Sequence, residues 1–167
     1  LMPIETLPPP AKSLLLLESR IGFELAGFVL SMPRLRRELP RGPGPPLIIV
    51  PGFGTTDVAT APLRRLLHGL GYASYGWGPG RNLGMRSGVR DALNAQLRAV
   101  HAASGPVTLV GWSLGGVFVR EMARHQPQCV RRVSTLGSPI NRDPDANNML
   151  PLVRLANGVK RPKTDLA

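Results

Sequence analysis

One cysteine, Cys129, stands in the 167 residues. No intrachain disulfide can form and no cysteine cluster can hold a metal, so a reducing compartment, the cytoplasm, is the expected setting. Histidine is almost as scarce: His68, His101 and His125 are the only three. Acidic residues are few as well, 10 against 21 lysines and arginines, for a formal net charge of +11. Lysine is confined to Lys12, Lys160 and Lys163, so the excess is arginine. A balance of this kind raises nucleic acid or an anionic surface as a partner. The arginines, however, run along the whole chain in short groups, around Arg34 to Arg37, Arg64-Arg65 and Arg131-Arg132. Aromatic residues are not interleaved with them for base stacking. Nucleic acid is not expected.

Long apolar runs are missing too. The stretch from Leu14 to Leu30 is broken by Glu18, Arg20 and Glu24, which makes it a poor membrane span. It lacks a basic leader and a small-residue cleavage site, so no signal peptide is expected. Its Leu14, Leu17, Ile21, Leu25 and Phe28 recur at helical spacing. Packing of that face on the body of the protein is the first reading, and peripheral membrane contact the second. From Pro33 to Pro46 a proline- and arginine-rich connector is expected, because Pro43-Gly44-Pro45-Pro46 suits neither a helix nor a central strand. Residues 1–46 therefore read as an N-terminal helix and connector, and residues 47–167 as a single core.

What is present in that core alternates. Leu47-Ile48-Ile49-Val50 is a short apolar run of the kind buried on both faces of a sheet. The leucines at 63, 66, 67 and 70 predict a helix from about Ala59, ended by Gly69 and Gly71. Tyr72 to Trp77 reads as a strand, Met85 to Ala103 as a helix, Val107 to Val110 as a strand, Leu114 to His125 as a helix and Val130 to Leu136 as a strand. This is an α/β pattern with a mostly parallel sheet and helices on both faces. Sites in such sheets lie at the carboxyl ends of the strands.

At one such end stands Gly111-Trp112-Ser113-Leu114-Gly115-Gly116, between a predicted strand and a predicted helix. A Gly-x-Ser-x-Gly run in that context makes a nucleophile elbow: a sharp turn lifts the serine hydroxyl clear of the sheet, and only glycine fits two residues to either side. Gly116 lets the helix begin close to the neighbouring strand. The helix N-terminus directs its free N–H groups and partial positive charge at the reacting centre. Acyl transfer also needs two N–H donors on the developing oxyanion. Leu114, after the nucleophile, is the candidate for one. Phe53, in Pro51-Gly52-Phe53-Gly54 after the first core strand, is the candidate for the other, unless that run is a plain strand-ending turn.

Four runs in order, Val50-Pro51-Gly52-Phe53, Trp77 to Gly84, Gly111 to Gly116 and Thr135 to Pro139, resemble the N-terminal part of bacterial lipase/esterase-like α/β-hydrolases. That resemblance implies the α/β-hydrolase fold, a small-molecule or lipid ester as substrate, Ser-His-Asp chemistry with Ser113 as nucleophile, and neither a cofactor nor a metal. An acyltransferase or other α/β-hydrolase chemistry would share every feature seen. A truncated fold without catalysis is the remaining alternative.

The chain departs from the family in its histidines. The triad order is serine, acid, histidine, with the last two on loops after later strands. His125 falls at the far end of the predicted elbow helix, roughly 18 Å from the serine at about 1.5 Å per residue. His68 and His101 end helices that lead into strands and belong to the opposite edge of the sheet. Asp143 and Asp145 follow the last strand on the correct edge, but Asp143-Pro144 reads as a turn. Asp57 reads as a helix cap. The expectation is therefore a C-terminally incomplete hydrolase core, with acid and histidine missing, an unprotected edge at its last strand and little activity alone.

Overall fold

The computed structural model describes residues 21–42 and 44–138. A helix α1 spans Ile21–Glu38, followed by strand β1 (Leu47–Val50), helix α2 (Asp57–Gly69) and strand β2 (Ser74–Tyr75). Then come helix α3 (Ser87–Ser104), strand β3 (Val107–Trp112), helix α4 (Leu114–His125), a 3-10 turn at Pro127–Cys129 and strand β4 (Val130–Leu136). The strands form one sheet in the order β2-β1-β3-β4, parallel at every pairing. The α/β class is as expected from the alternation.

All four residues of β1 are buried, which requires cover on both faces of the sheet. Side chains alternate along a strand, so Ile48 and Val50 point one way and Ile49 the other. Ile48 and Val50 join Leu93 and Leu97 of α3, Leu109 of β3 and Phe118, Val119 and Met122 of α4 in the main core. The strand order explains this division. The chain steps outward from β1 to β2, then back across β1 to β3 and on to β4. Right-handed crossovers therefore put α2 on one face and α3 and α4 on the other. Between β1 and β3 the direction of winding reverses. In open α/β sheets ligands bind at the carboxyl ends of the strands at such a point.

Several elements differ from expectation for identifiable reasons. The connector predicted from Pro33 is helical as far as Glu38. Pro33 removes one N–H from the ladder, but its fixed φ suits a helix. The turn beyond it is held by an Arg34–Glu38 pair at 2.8 Å, by Leu39 N–H donating to Leu35 C=O, and by Arg36, whose guanidinium donates to Arg65 C=O on α2. The docking face of α1 is also rotated from the predicted one. Phe28, Ser31, Met32 and Leu35 are partly covered, whereas Leu25 is exposed. The Ile21 side chain lies outside the described residues, as do Leu14 and Leu17.

The second strand shrinks from the predicted 72–77 to Ser74–Tyr75, because the N–H groups of Trp77 and Gly78 donate to the Asp57 carboxylate at 2.8 and 3.1 Å instead of joining the ladder. Asp57 is thus a clamp on the β2 exit, and the cap of α2 is Thr56, whose Oγ1 accepts the Val58 N–H. The third strand runs two residues further than predicted and takes in Gly111 and Trp112. The fourth matches, and its Arg131, Arg132, Thr135 and Leu136 are exposed. No helix among the described residues is long and apolar enough to cross a membrane.

Leu97 is 0% exposed within the main core. Truncation there leaves a cavity under the sheet, so Leu97→Ala is expected to lower stability by about 2–5 kcal/mol. Phe23→Ala, on the exposed flank of α1, should change it by less than about 0.5 kcal/mol. Urea unfolding followed by circular dichroism distinguishes the two.

Candidate active site

The register between β1 and β3 sets Val50 beside Gly111, so the chain leaves both strands at the same level. Pro51 and Gly52 therefore run alongside Trp112 and Ser113. A Cβ placed on Gly52 would lie 3.3 Å from the Ser113 Cβ. The loop before Phe53 and the serine thus lie side by side where the winding reverses.

Ser113 joins β3 to α4 with φ 52° and ψ −120°, and it is the one non-glycine residue with positive φ among those described. A side chain in this region costs of the order of 1–3 kcal/mol and persists only where the surroundings impose it. Here they do. The Ser113 N–H donates to Leu136 C=O at 2.8 Å, holding the residue to the end of β4, and its C=O accepts the Gly116 N–H at 3.0 Å, closing the first turn of α4.

The tightness of that turn dictates its glycines. A Cβ on Gly111 would collide with the backbone of Gly115 and Gly116; one on Gly115 would collide with the Val50 and Pro51 carbonyls. At Gly116 the space is taken by the Ser138 side chain, with Thr135 Cγ2 3.1 Å away. These three positions bring the N-terminus of α4 against β1, β3 and the end of β4 at once. Leu114, the first residue of α4, packs its side chain on the core.

Among the described residues neither the Phe53 N–H nor the Leu114 N–H donates a hydrogen bond. The loop that carries Phe53 is nevertheless firmly held, and by residues whose part in it sequence reasoning missed. Asn82, 0% exposed, donates from Nδ2 to Pro51 C=O at 2.7 Å and accepts the Gly84 N–H on Oδ1. Its backbone accepts the Gly54 N–H and donates to Thr55 C=O. The Arg81 guanidinium donates to Gly54 C=O at 2.7 Å, and Thr55 Oγ1 to Gly52 C=O at 2.8 Å. A buried asparagine in a glycine-rich segment was the available signal: it must find backbone partners, and a loop supplies them.

The three histidines fall away from Ser113. His68 and His101 occupy the last turns of α2 and α3, and His125 ends α4. His125 Nε2 does lie 2.8 Å from Glu121 Oε1, a histidine–carboxylate pair at i,i+4 spacing, yet at the opposite end of the helix from the serine. Asp57 spends its carboxylate on the N–H groups of Trp77 and Gly78. Asp143 and Asp145 lie outside the described residues. No group of three His, Cys, Asp or Glu among the described residues is placed to hold a metal. The sequence matches no protein-family model, and no curated protein is significantly similar to it.

Two outcomes follow. Since the strain at residue 113 comes from its side chain, Ser113→Gly should stabilise the fold by about 1–2 kcal/mol in urea unfolding, whereas Ser113→Ala, which keeps a Cβ, should not. At the other end of α4, the hydrogen bond from Arg124 pulls the Glu121 carboxyl down from 4.5 to about 2. The stability contributed by this exposed pair is fully present above the ordinary carboxylate value and is lost as pH falls through the depressed one. A carbon-13 NMR titration of Glu121 should show that low midpoint, and Arg124→Gln should move it back towards 4.5.

Proposed function

We propose that this chain carries the nucleophile and oxyanion machinery of a serine hydrolase of the lipase/carboxylesterase type, built on an α/β-hydrolase fold. The observation that carries the reading is the backbone of Ser113: a strained, positive-φ serine at a strand-to-helix turn, enclosed by glycines that leave no room for a Cβ. Strain of this sort is expensive, and a serine is the wrong residue to bear it unless the hydroxyl is needed there. The fourfold run of motifs and the serine's place at the carboxyl edge of a parallel sheet support the same reading.

In this reading Ser113 Oγ attacks an ester carbonyl and its proton passes to a base. The oxyanion that forms is held by the Leu114 and Phe53 N–H groups, both without an acceptor among the described residues and one of them at the positive end of α4. The alcohol leaves, water attacks the acyl-serine, and Ser113 is regenerated. Asn82 and Arg81 act on the loop rather than the substrate, fixing the Phe53 peptide so that its N–H needs no rearrangement during the reaction. The substrate is a small-molecule or lipid ester, and the chemistry asks for no cofactor. The reading also requires a base that His68, His101 and His125 do not supply, so hydrolysis by this chain by itself should be slow. Transfer of the acyl group to an alcohol instead of water would use the same groups.

A fluorophosphonate probe tests the assignment, because phosphonylation needs a nucleophilic serine and an oxyanion site. The 167-residue chain should label slowly at Ser113, added imidazole should accelerate labelling by standing in for the base, and Ser113→Ala should abolish it. Failure to label with imidazole present, or equal labelling of other serines, would sink the reading. Rapid labelling without imidazole would show that a base lies within the chain.

A further inference from the structure

The flank of α1 opposite its docking face is bare. Phe23 and Leu30 are 82% and 81% exposed, and Val29 is also exposed. A Cβ built on Gly22 or Gly27 would meet nothing within 4 Å. Positions 23, 27, 30, 34 and 37 follow one another at three- and four-residue spacing, so they form a single stripe along the helix. Its first half is apolar, Phe23 and Leu30, and its second half is basic, Arg34 and Arg37, with Arg41 just beyond the helix end. Residues 28, 32 and 35, half a turn round, are the ones partly covered. One side of α1 therefore holds the body of the protein while the other presents two large apolar side chains followed by guanidinium groups.

We propose that this stripe is a docking surface for an anionic lipid bilayer, independent of the chemistry at Ser113. An interfacial helix needs an apolar group to enter the acyl boundary and cations to meet the phosphates, and Arg34 and Arg37 lie on the same side as Phe23 and Leu30, so one approach satisfies both. Charge decides between this and other occupants. A second copy would bring another chain of net charge +11 against the same arginines. The acidic residues of α1 nearest the stripe are Glu24, in its first turn, and Glu38, which is paired with Arg34 at 2.8 Å with both side chains largely exposed. Surface pairs of this kind contribute little and exchange readily for a phosphate oxygen. The apolar and basic halves are each too weak to anchor the chain separately; together they give reversible, salt-sensitive attachment.

Flotation of the 167-residue chain with vesicles tests this. Vesicles rich in phosphatidylglycerol should carry the chain at low salt and release it at high salt, and phosphatidylcholine vesicles should not carry it. Phe23→Ser/Leu30→Ser should reduce the bound fraction about tenfold or more, and Arg34→Gln/Arg37→Gln by a similar factor, at about fivefold per charge. Arg131→Gln/Arg132→Gln on β4, which removes the same charge elsewhere, should leave most of the binding intact. With Phe23→Trp, indole emission should shift to the blue on anionic vesicles, reporting insertion directly. Circular dichroism checks that each variant is folded. Three results would overturn the proposal: no attachment of the unaltered chain, equal loss from the β4 and α1 arginine pairs, or a stripe variant that abolishes self-association while leaving vesicle binding unchanged.

Discussion

Everything at the centre of this molecule depends on how closely the first turn of α4 approaches β1 and β3. Three side chains have been dispensed with to permit it. Gly111 and Gly115 let the turn fold back on the strand it has just left and press on the carbonyls that end β1, while Gly116 makes room for Ser138 beyond β4. With the helix this close, Ser113 has no choice but a strained, positive-φ backbone. The same closeness puts the free N–H groups of the helix next to the loop after β1. Sheet register, helix position and the strained backbone of Ser113 are thus one constraint seen from three sides.

The loop after β1 answers that constraint from the other strand. Left to itself, a segment with Gly52 and Gly54 would sample many conformations, and a donor in it would reorganise whenever charge appeared nearby. Asn82 and Arg81 remove that freedom from a third direction, the segment leaving β2, which is held in turn by the Asp57 carboxylate. The short second strand is therefore part of the site's support: by ending at Tyr75 it releases Trp77 and the residues after it to cross over the mouth of β1. Trp77 then buries its ring and donates its indole N–H to Gly80 C=O, fixing the crossing segment.

How much of this could be read in advance varied with how local the cause was. Runs such as Leu47 to Val50 and the amphipathic pattern from Leu114 to His125 carry their own signal, because burial on both faces or one face leaves a periodicity in the residues themselves. The elbow was legible for the same reason: its glycines are needed within five residues of one another. Long-range competition was not legible. Nothing near Trp77 says that a carboxylate twenty positions earlier will take its N–H and end the strand, and nothing near Asn82 says which carbonyl it will meet. The helical continuation through Pro33 was hidden likewise, since the proline is the local signal and the anchors, Arg36 against Arg65 among them, come from tertiary packing. The tie of the Phe53 loop to the serine rests on register, which only the assembled sheet defines.

The order of the strands also governs how the chain must come together. β1 lies between β2 and β3, and its Leu47 pairs across to Thr108, so its most apolar run leaves the ribosome long before the strand that completes its cover exists. Until β3 is synthesised, Leu47-Ile48-Ile49-Val50 has only a two-residue partner on one side and an open edge on the other. Loop closure of this kind is slow, and the waiting intermediate is adhesive. The centre of the sheet is thus covered only once β3 arrives, when the Thr108 N–H also finds the Pro46 C=O just ahead of β1 at 2.8 Å.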